Sequence, residues 1–89
     1  MASKERDPFT FSVVRHLGTL MQGGAISKEV NIISFSGKSP VLDIRCWKRK
    51  PGEEPLLLRG ITIRPEEAEA LEKAIKQYNE WLKKQKPGK

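Results

Sequence analysis

The 89 residues carry 17 Lys and Arg against 11 Asp and Glu, a net charge of +6, and only 37% of them are hydrophobic. This length supports one domain with one small core, and no stretch approaches the ~20 apolar residues that span a bilayer. A single cysteine excludes an intrachain disulfide, and no signal peptide is recognisable. We therefore expect a cytoplasmic protein with an anionic partner and, given the low hydrophobic content, a partner subunit.

The N-terminal half of the domain is predicted to be sheet. Residues 1–8 are polar and aperiodic, which indicates a flexible arm before a single domain over 9–86 and a flexible tail over 87–89. Residues 9–20 are rich in β-branched and aromatic side chains and predict a first strand, with a bulge or bend at Gly18. A turn over 22–24 leads to a second strand over 27–35.

Residues 35–47, FSGKSPVLDIRCW, predict a β-hairpin because two apolar runs meet across a Gly- and Pro-containing turn. Period-two alternation places Leu42, Ile44 and Cys46 on the core face, with Cys46 as a small buried hydrophobe, and places Arg45 and Trp47 on the opposite face. After a loop over 48–55, residues 56–63 form the fourth strand. Its internal glycine at position 60 indicates a bulge or a close backbone approach.

A C-terminal helix is predicted from Pro65, with Glu66 and Glu67 in its first turn and Pro87-Gly88 ending it. The residue before it, Arg64, is a poor N-cap. An apolar stripe should cover the sheet and a weaker second stripe should remain for another copy of the chain, which predicts a homodimer. The predicted dimer interface comprises Leu71, Ala74, Ile75, Tyr78, Trp81 and Leu82.

Aromatic and cationic side chains are interleaved on the hairpin, a pattern that suits single-stranded nucleic acid because rings stack on bases and cations pair with phosphates. The central candidates are Phe35, Lys38, Arg45 and Trp47, joined by Arg59, and at the rim by Lys28, Lys48, Arg49 and Lys50. A purely structural interpretation remains open. In it, Phe35 and Trp47 pack against each other across strands, and Arg45 pairs with Asp43 or Glu29.

Catalysis is not expected. His16 is the only histidine, and no nucleophile or further metal ligand stands at a suitable spacing. We therefore predict a non-enzymatic protein without a metal or cofactor.

The order of four strands and a helix, with FSGKSPVLDIRCW in the middle and LRGITIRPEEAEAL leading into the helix, resembles the positive cofactor four family of transcriptional coactivators, especially its bacterial YdbC-like branch. The resemblance covers roughly residues 11–82. It implies an α+β fold, a curved four-stranded antiparallel sheet followed by one C-terminal helix (ββββα), assembled as a homodimer that binds single-stranded DNA. The family's binding positions that match are Phe35, Lys38, Arg45, Trp47 and Arg59.

Two departures from the family pattern matter. The aromatic residue follows the Asp-Ile-Arg triplet one position sooner than in the eukaryotic members, and their Ser/Lys-rich regulatory arm is absent. The expected function is largely sequence-independent binding of single-stranded DNA in bacterial transcription, replication or repair, associated with the nucleoid and with possible protein partners in those processes. Two alternatives stay open: single-stranded RNA binding by the same surface, and a protein-interaction module that uses the C-terminal helix.

Overall fold

The computed structural model describes residues 10–85. It contains one antiparallel sheet of four strands that lie side by side in chain order, followed by one helix, so the predicted ββββα fold is confirmed. The predicted arm over 1–8 and tail over 87–89, together with Phe9 and Lys86, lie outside the described residues. None of the described helices is long and apolar enough to cross a membrane. The elements are β1 (Phe11–Gly23), β2 (Ile26–Phe35), β3 (Val41–Lys48), β4 (Leu56–Ile63) and α1 (Pro65–Gln85).

β1 is longer and more irregular than predicted. It continues through Gly23, which was assigned to a turn, and the chain reverses at Gly24, whose φ is 59°. Its pairing with β2 shifts at three places, so that Val14, Leu17 and Leu20 each lie between paired residues without a partner of their own. Extra residues of this kind bend a strand and increase its twist. They also explain why a two-residue alternation fails along β1.

The β2–β3 hairpin forms where the sequence predicts it. The connection between the strands contains two consecutive residues in the left-handed region, Ser36 with φ 50° and Gly37 with φ 74°. The Lys38 amide donates a hydrogen bond to the Phe35 carbonyl at 2.9 Å. From Ile33 opposite Val41 to Ile26 opposite Lys48 the pairing runs without a shift, which places Glu29 opposite Arg45 and Asn31 opposite Asp43.

The two faces of the sheet differ in burial, and the core is not where the sequence predicts it. We call the face that carries Asn31, Asp43 and Trp47 the inner face and the face that carries Val30, Ile44 and Ile61 the outer face. Alternation along β3 is confirmed, but Leu42, Ile44 and Cys46 on the outer face are only half-buried. The buried side chains of β2 and β3 all belong to the inner face: Ser27, Glu29, Asn31, Ile33, Asp43 and Trp47.

The helix leaves most of the sheet uncovered. α1 contacts mainly β3, and only Ala68 and Leu71 of its predicted stripe are half-buried. The rest of that stripe, Ile75, Tyr78 and Leu82, is exposed, so the prediction that it covers the sheet is wrong for the single chain. The molecule is accordingly elongated, with extents of 63 × 33 × 20 Å.

The poor N-cap at Arg64 is compensated from within the helix. The Glu67 carboxylate accepts a hydrogen bond from the Arg64 amide at 2.9 Å, while the Glu67 amide donates to the Arg64 carbonyl at 2.8 Å. A glutamate three residues after the N-cap thus satisfies the amide before the helix, as in one half of a capping box.

Candidate nucleic-acid interface

Trp47 lies on the inner face near the end of β3 but is not exposed. Only 1% of the residue is accessible, because the Phe11 ring meets the indole edge-on at 5.6 Å between centroids and the Arg49 guanidinium lies over it at 4.7 Å. The indole Nε1 is buried and has no hydrogen-bond partner among residues 10–85. The prediction that Trp47 offers a surface on which bases stack therefore needs correction. In this conformation a base cannot reach the ring.

Arg49 is held over Trp47 by a buried carboxylate. Its Nε and Nη2 each donate a hydrogen bond of 2.9 Å to Glu29, one to each carboxylate oxygen. Ser27 and Asn31 also donate to this carboxylate, at 2.6 and 3.4 Å. The Arg49 hydrogen bonds, with help from Ser27 and Asn31, outweigh the effect of burial and lower the pKa of Glu29 to about 2. In return, Glu29 raises the pKa of Arg49.

A second arrangement of the same kind lies further along β3. The Arg45 Nε and Nη2 donate to the two carboxylate oxygens of Asp43 at 2.6 and 2.7 Å, and the guanidinium carbon lies 5.6 Å from the centre of the Phe35 ring. Its Nη1 donates to the Leu58 carbonyl at 3.1 Å. The hydrogen bonds that Arg45 donates to Asp43 raise the pKa of Arg45. The structural interpretation that Arg45 pairs with Asp43 is therefore correct, whereas Trp47 packs against Phe11 rather than Phe35.

His16 joins the polar part of the inner face. Its Nδ1 lies 2.7 Å from the Asn31 side-chain oxygen and 3.8 Å from Glu29, and its Nε2 lies 3.3 Å from the Thr19 hydroxyl. Because an amide oxygen only accepts, His16 Nδ1 donates the hydrogen bond to Asn31. No group of three or more His, Cys, Asp or Glu side chains in the described part of the chain is placed to hold a metal ion.

The predicted cationic residues do not form one surface. Arg45 and Arg49 lie on the inner face, whereas Lys28, Lys48 and Arg59 belong to the outer face by their register and alternation. Lys28 and Arg59 line a shallow hollow of about 340 Å³ there, with Ile44, Cys46 and Ile61 among its other lining residues. Cys46 is thus half-buried at this hollow rather than in a core.

Two lysines lie in the connections at opposite ends of β3. Lys38 follows the β2–β3 turn and Lys50 follows the end of β3, and both are exposed. Neither forms an ion pair with any residue that the structure describes, and the same holds for the outer-face cations Lys28, Lys48 and Arg59. The two inner-face arginines, by contrast, are both neutralised by carboxylates.

The polar cluster of Ser27, Glu29 and Asn31 was not predicted to be part of the site. Its signal was present, because three polar residues at alternate positions of a strand share one face. What the pattern did not provide was the pairing of Glu29 with Arg49, twenty positions away. That pairing depends on the register of β2 against β3.

No protein-family model matches this chain, and no curated protein matches it either.

Proposed function

We propose that this protein is a non-enzymatic binder of single-stranded DNA that acts through its inner face, largely without regard to sequence. The observation that carries the proposal is a repeated arrangement on one face: a guanidinium laid over an aromatic ring and fixed by a buried carboxylate, at Arg45 and again at Arg49. Fixed planar cations suit both partners that a single strand offers, namely phosphates and the faces of unpaired bases.

The long-range attraction comes from other residues. Because Asp43 and Glu29 neutralise the two arginines, these pairs add little net charge to the inner face. Lys38 and Lys50 form no ion pair with a described residue, and the eight residues of β3 between them span about 26 Å. We assign phosphate attraction mainly to these lysines and leave the outer-face cations Lys28, Lys48 and Arg59 out of the proposed contact surface.

The resemblance to the positive cofactor four family supports the same function. The residues that carry it include Phe35, Lys38 and Arg45, which lie on or beside the inner face. The corresponding cellular setting is the bacterial cytoplasm, at DNA opened during transcription, replication or repair. Single-stranded RNA is the alternative ligand for the same surface, since stacking and phosphate contacts do not distinguish RNA from DNA. Contacts to the 2′-hydroxyl would distinguish them.

We further propose that the working unit is a homodimer joined through α1. The rings of Tyr78 and Trp81 stack on each other at 6.1 Å between centroids, yet 58% and 53% of these residues are exposed. Exposed apolar patches of this kind mark interaction surfaces, and a two-fold dimer needs only one self-complementary patch. The same observation favours the other candidate function, a helix that docks a different protein.

Titration with labelled oligonucleotides tests the proposal. Single- and double-stranded DNA and RNA of one sequence and length are compared by fluorescence anisotropy in the same buffer. We expect the tightest binding to single-stranded DNA. Equal or tighter binding to single-stranded RNA would favour the alternative ligand, and no binding to any oligonucleotide would favour the protein-interaction module.

A further inference from the structure

The burial of Trp47 raises the question of which group on the inner face meets a base. The indole is 1% exposed, whereas the Arg49 side chain that covers it is 45% exposed. The guanidinium carbon lies 4.7 Å from the centre of the indole. Arg49 is therefore the accessible member of this pair, and Trp47 supports it from beneath.

Glu29 holds the guanidinium in place before any ligand arrives. It takes two hydrogen bonds from Arg49 while itself 93% buried and bonded to Ser27 and Asn31. An arginine fixed in this way loses little side-chain freedom on binding. The Nη1 group has no hydrogen-bond partner within residues 10–85, so it remains able to donate to an acceptor on the ligand.

Arg45 has the same anchoring but a different environment. Only 15% of its side chain is exposed, and its Nη1 is already bonded to the Leu58 carbonyl. Arg45 thus links β3 to β4 through this hydrogen bond. Of the two guanidinium groups on the inner face, only that of Arg49 combines a fixed position with an accessible surface.

We propose that the guanidinium plane of Arg49 is itself a stacking platform for a nucleobase, sandwiched between the base and Trp47, with Glu29 as its positioning residue. This inference rests on the proposed binding of single strands. Unpaired bases stack on guanidinium planes as they do on aromatic rings, and such stacking tolerates every base because each has a π-face. The platform thus agrees with binding that ignores sequence.

The test separates contact with a base from contact with a phosphate. Arg49→Lys keeps the charge and loses the plane, and Arg59→Lys makes the same exchange on the outer face as a control. Both are titrated with oligothymidylate and with an abasic deoxyribose-phosphate oligonucleotide of equal length. We expect Arg49→Lys to bind oligothymidylate about tenfold more weakly and the abasic strand within about twofold of the parent, while Arg59→Lys changes neither.

Other outcomes overturn the inference. An equal loss on both strands would make Arg49 a phosphate contact, and no loss on either would remove it from the interface. Both results would leave the proposed function standing. A parent protein that binds neither strand would overturn the proposed function and this inference together.

A second measurement uses the parent protein and does not depend on the variant folding. On titration with oligodeoxyadenylate, whose purine bases have a stronger ring current than thymine, a base stacked on Arg49 should shift the NMR resonance of its Nε–H upfield, while the corresponding resonance of Arg59 stays in place. An unshifted Arg49 resonance at saturation would exclude the platform.

Discussion

Arg45 and Gly60 lie directly opposite each other on β3 and β4, so close that a Cβ atom on Gly60 would stand 1.9 Å from the Cβ of Arg45. It would also stand 2.6 Å from both the Arg45 Cα and the Ile44 carbonyl oxygen. Backbone atoms cannot move aside as a flexible side chain does. The close approach inferred from a glycine inside a strand is therefore present, and the two strands pack here without room for a methyl group.

We expect Gly60→Ala to lower the free energy of unfolding by roughly 1–3 kcal/mol, because the strands must separate to admit the methyl group. Gly18→Ala is the matched control. It makes the same exchange inside a strand where nothing lies within 4 Å of the added atom. Urea unfolding at one protein concentration measures both. Equal stability of the two variants would contradict the packing described at Gly60.

The ion pair between Glu29 and Arg49 should make stability depend on pH in the acid range. The pKa of Glu29 falls from its usual 4.5 to about 2 in the folded protein. The contribution of Glu29 to the free energy of unfolding is therefore complete above about pH 5 and is lost as the pH falls from 4.5 towards 2. With Arg49 partly exposed to water, we estimate this contribution at roughly 2–3 kcal/mol near neutral pH.

Glu29→Gln tests this expectation in unfolding experiments from pH 7 to pH 2. The variant should be less stable than the parent at pH 7, and the difference should shrink below pH 4.5. Glu53→Gln, at an exposed position in the β3–β4 connection, serves as the control and should follow the parent throughout. A difference between Glu29→Gln and the parent that stays constant with pH would show that the charge on Glu29 does not stabilise the fold.

Affinity for single strands should fall with salt, and the exposed lysines at the two ends of β3 should set part of that dependence. Each phosphate contact contributes about 0.7 to the slope of log affinity against log salt concentration. The double variant Lys38→Gln, Lys50→Gln should therefore flatten the slope by about 1.4. Arg45→Ala is a poor probe of this effect because it would leave the fully buried Asp43 without its partner.

The matched control for the lysine pair is Lys73→Gln, Lys76→Gln, which removes the same charge from exposed positions of α1. Its slope should equal that of the parent. Equal flattening by both double variants would indicate that only the net charge matters. A parent affinity that does not respond to salt would contradict phosphate binding.

The exposed Tyr78–Trp81 stack should be covered by a second chain. Light scattering at micromolar concentration should then give a mass of about 20 kDa, twice the 10.1 kDa of one chain. Trp81→Glu should yield monomers, since a carboxylate in an apolar interface is costly to bury. The monomers should lose more affinity for long oligonucleotides than for short ones, because a long strand gains from reaching two inner faces.

Lys76→Gln is the control for Trp81→Glu because it changes the net charge by the same amount at an exposed position on the side of α1 away from Trp81. It should remain dimeric. A parent mass near 10 kDa would contradict the dimer directly.

Local signals in the sequence predicted the strands and the helix correctly. They did not predict which face of the sheet is buried, because burial depends on contacts between these elements. Glycine and proline marked the hairpin, and Pro65 with its glutamates marked the helix start. Alternation along β3 separated Trp47 from Ile44 correctly but did not decide which face would be covered. That depends on the reach of α1 and on the cover that Phe11 and Arg49 give to Trp47, both of which are set by tertiary contacts.

The bulges of β1 give the first strand a tolerance to insertions and deletions that its neighbours lack. Since Leu17 has no partner on β2, its loss would shorten β1 by one residue and leave His16 and Gly18 facing their present partners. Loss of Val30 from the regular ladder of β2 would instead turn every following side chain to the opposite face. Related sequences should therefore vary in length at positions 14, 17 and 20, while the polar residues of the inner face keep their alignment across each gap.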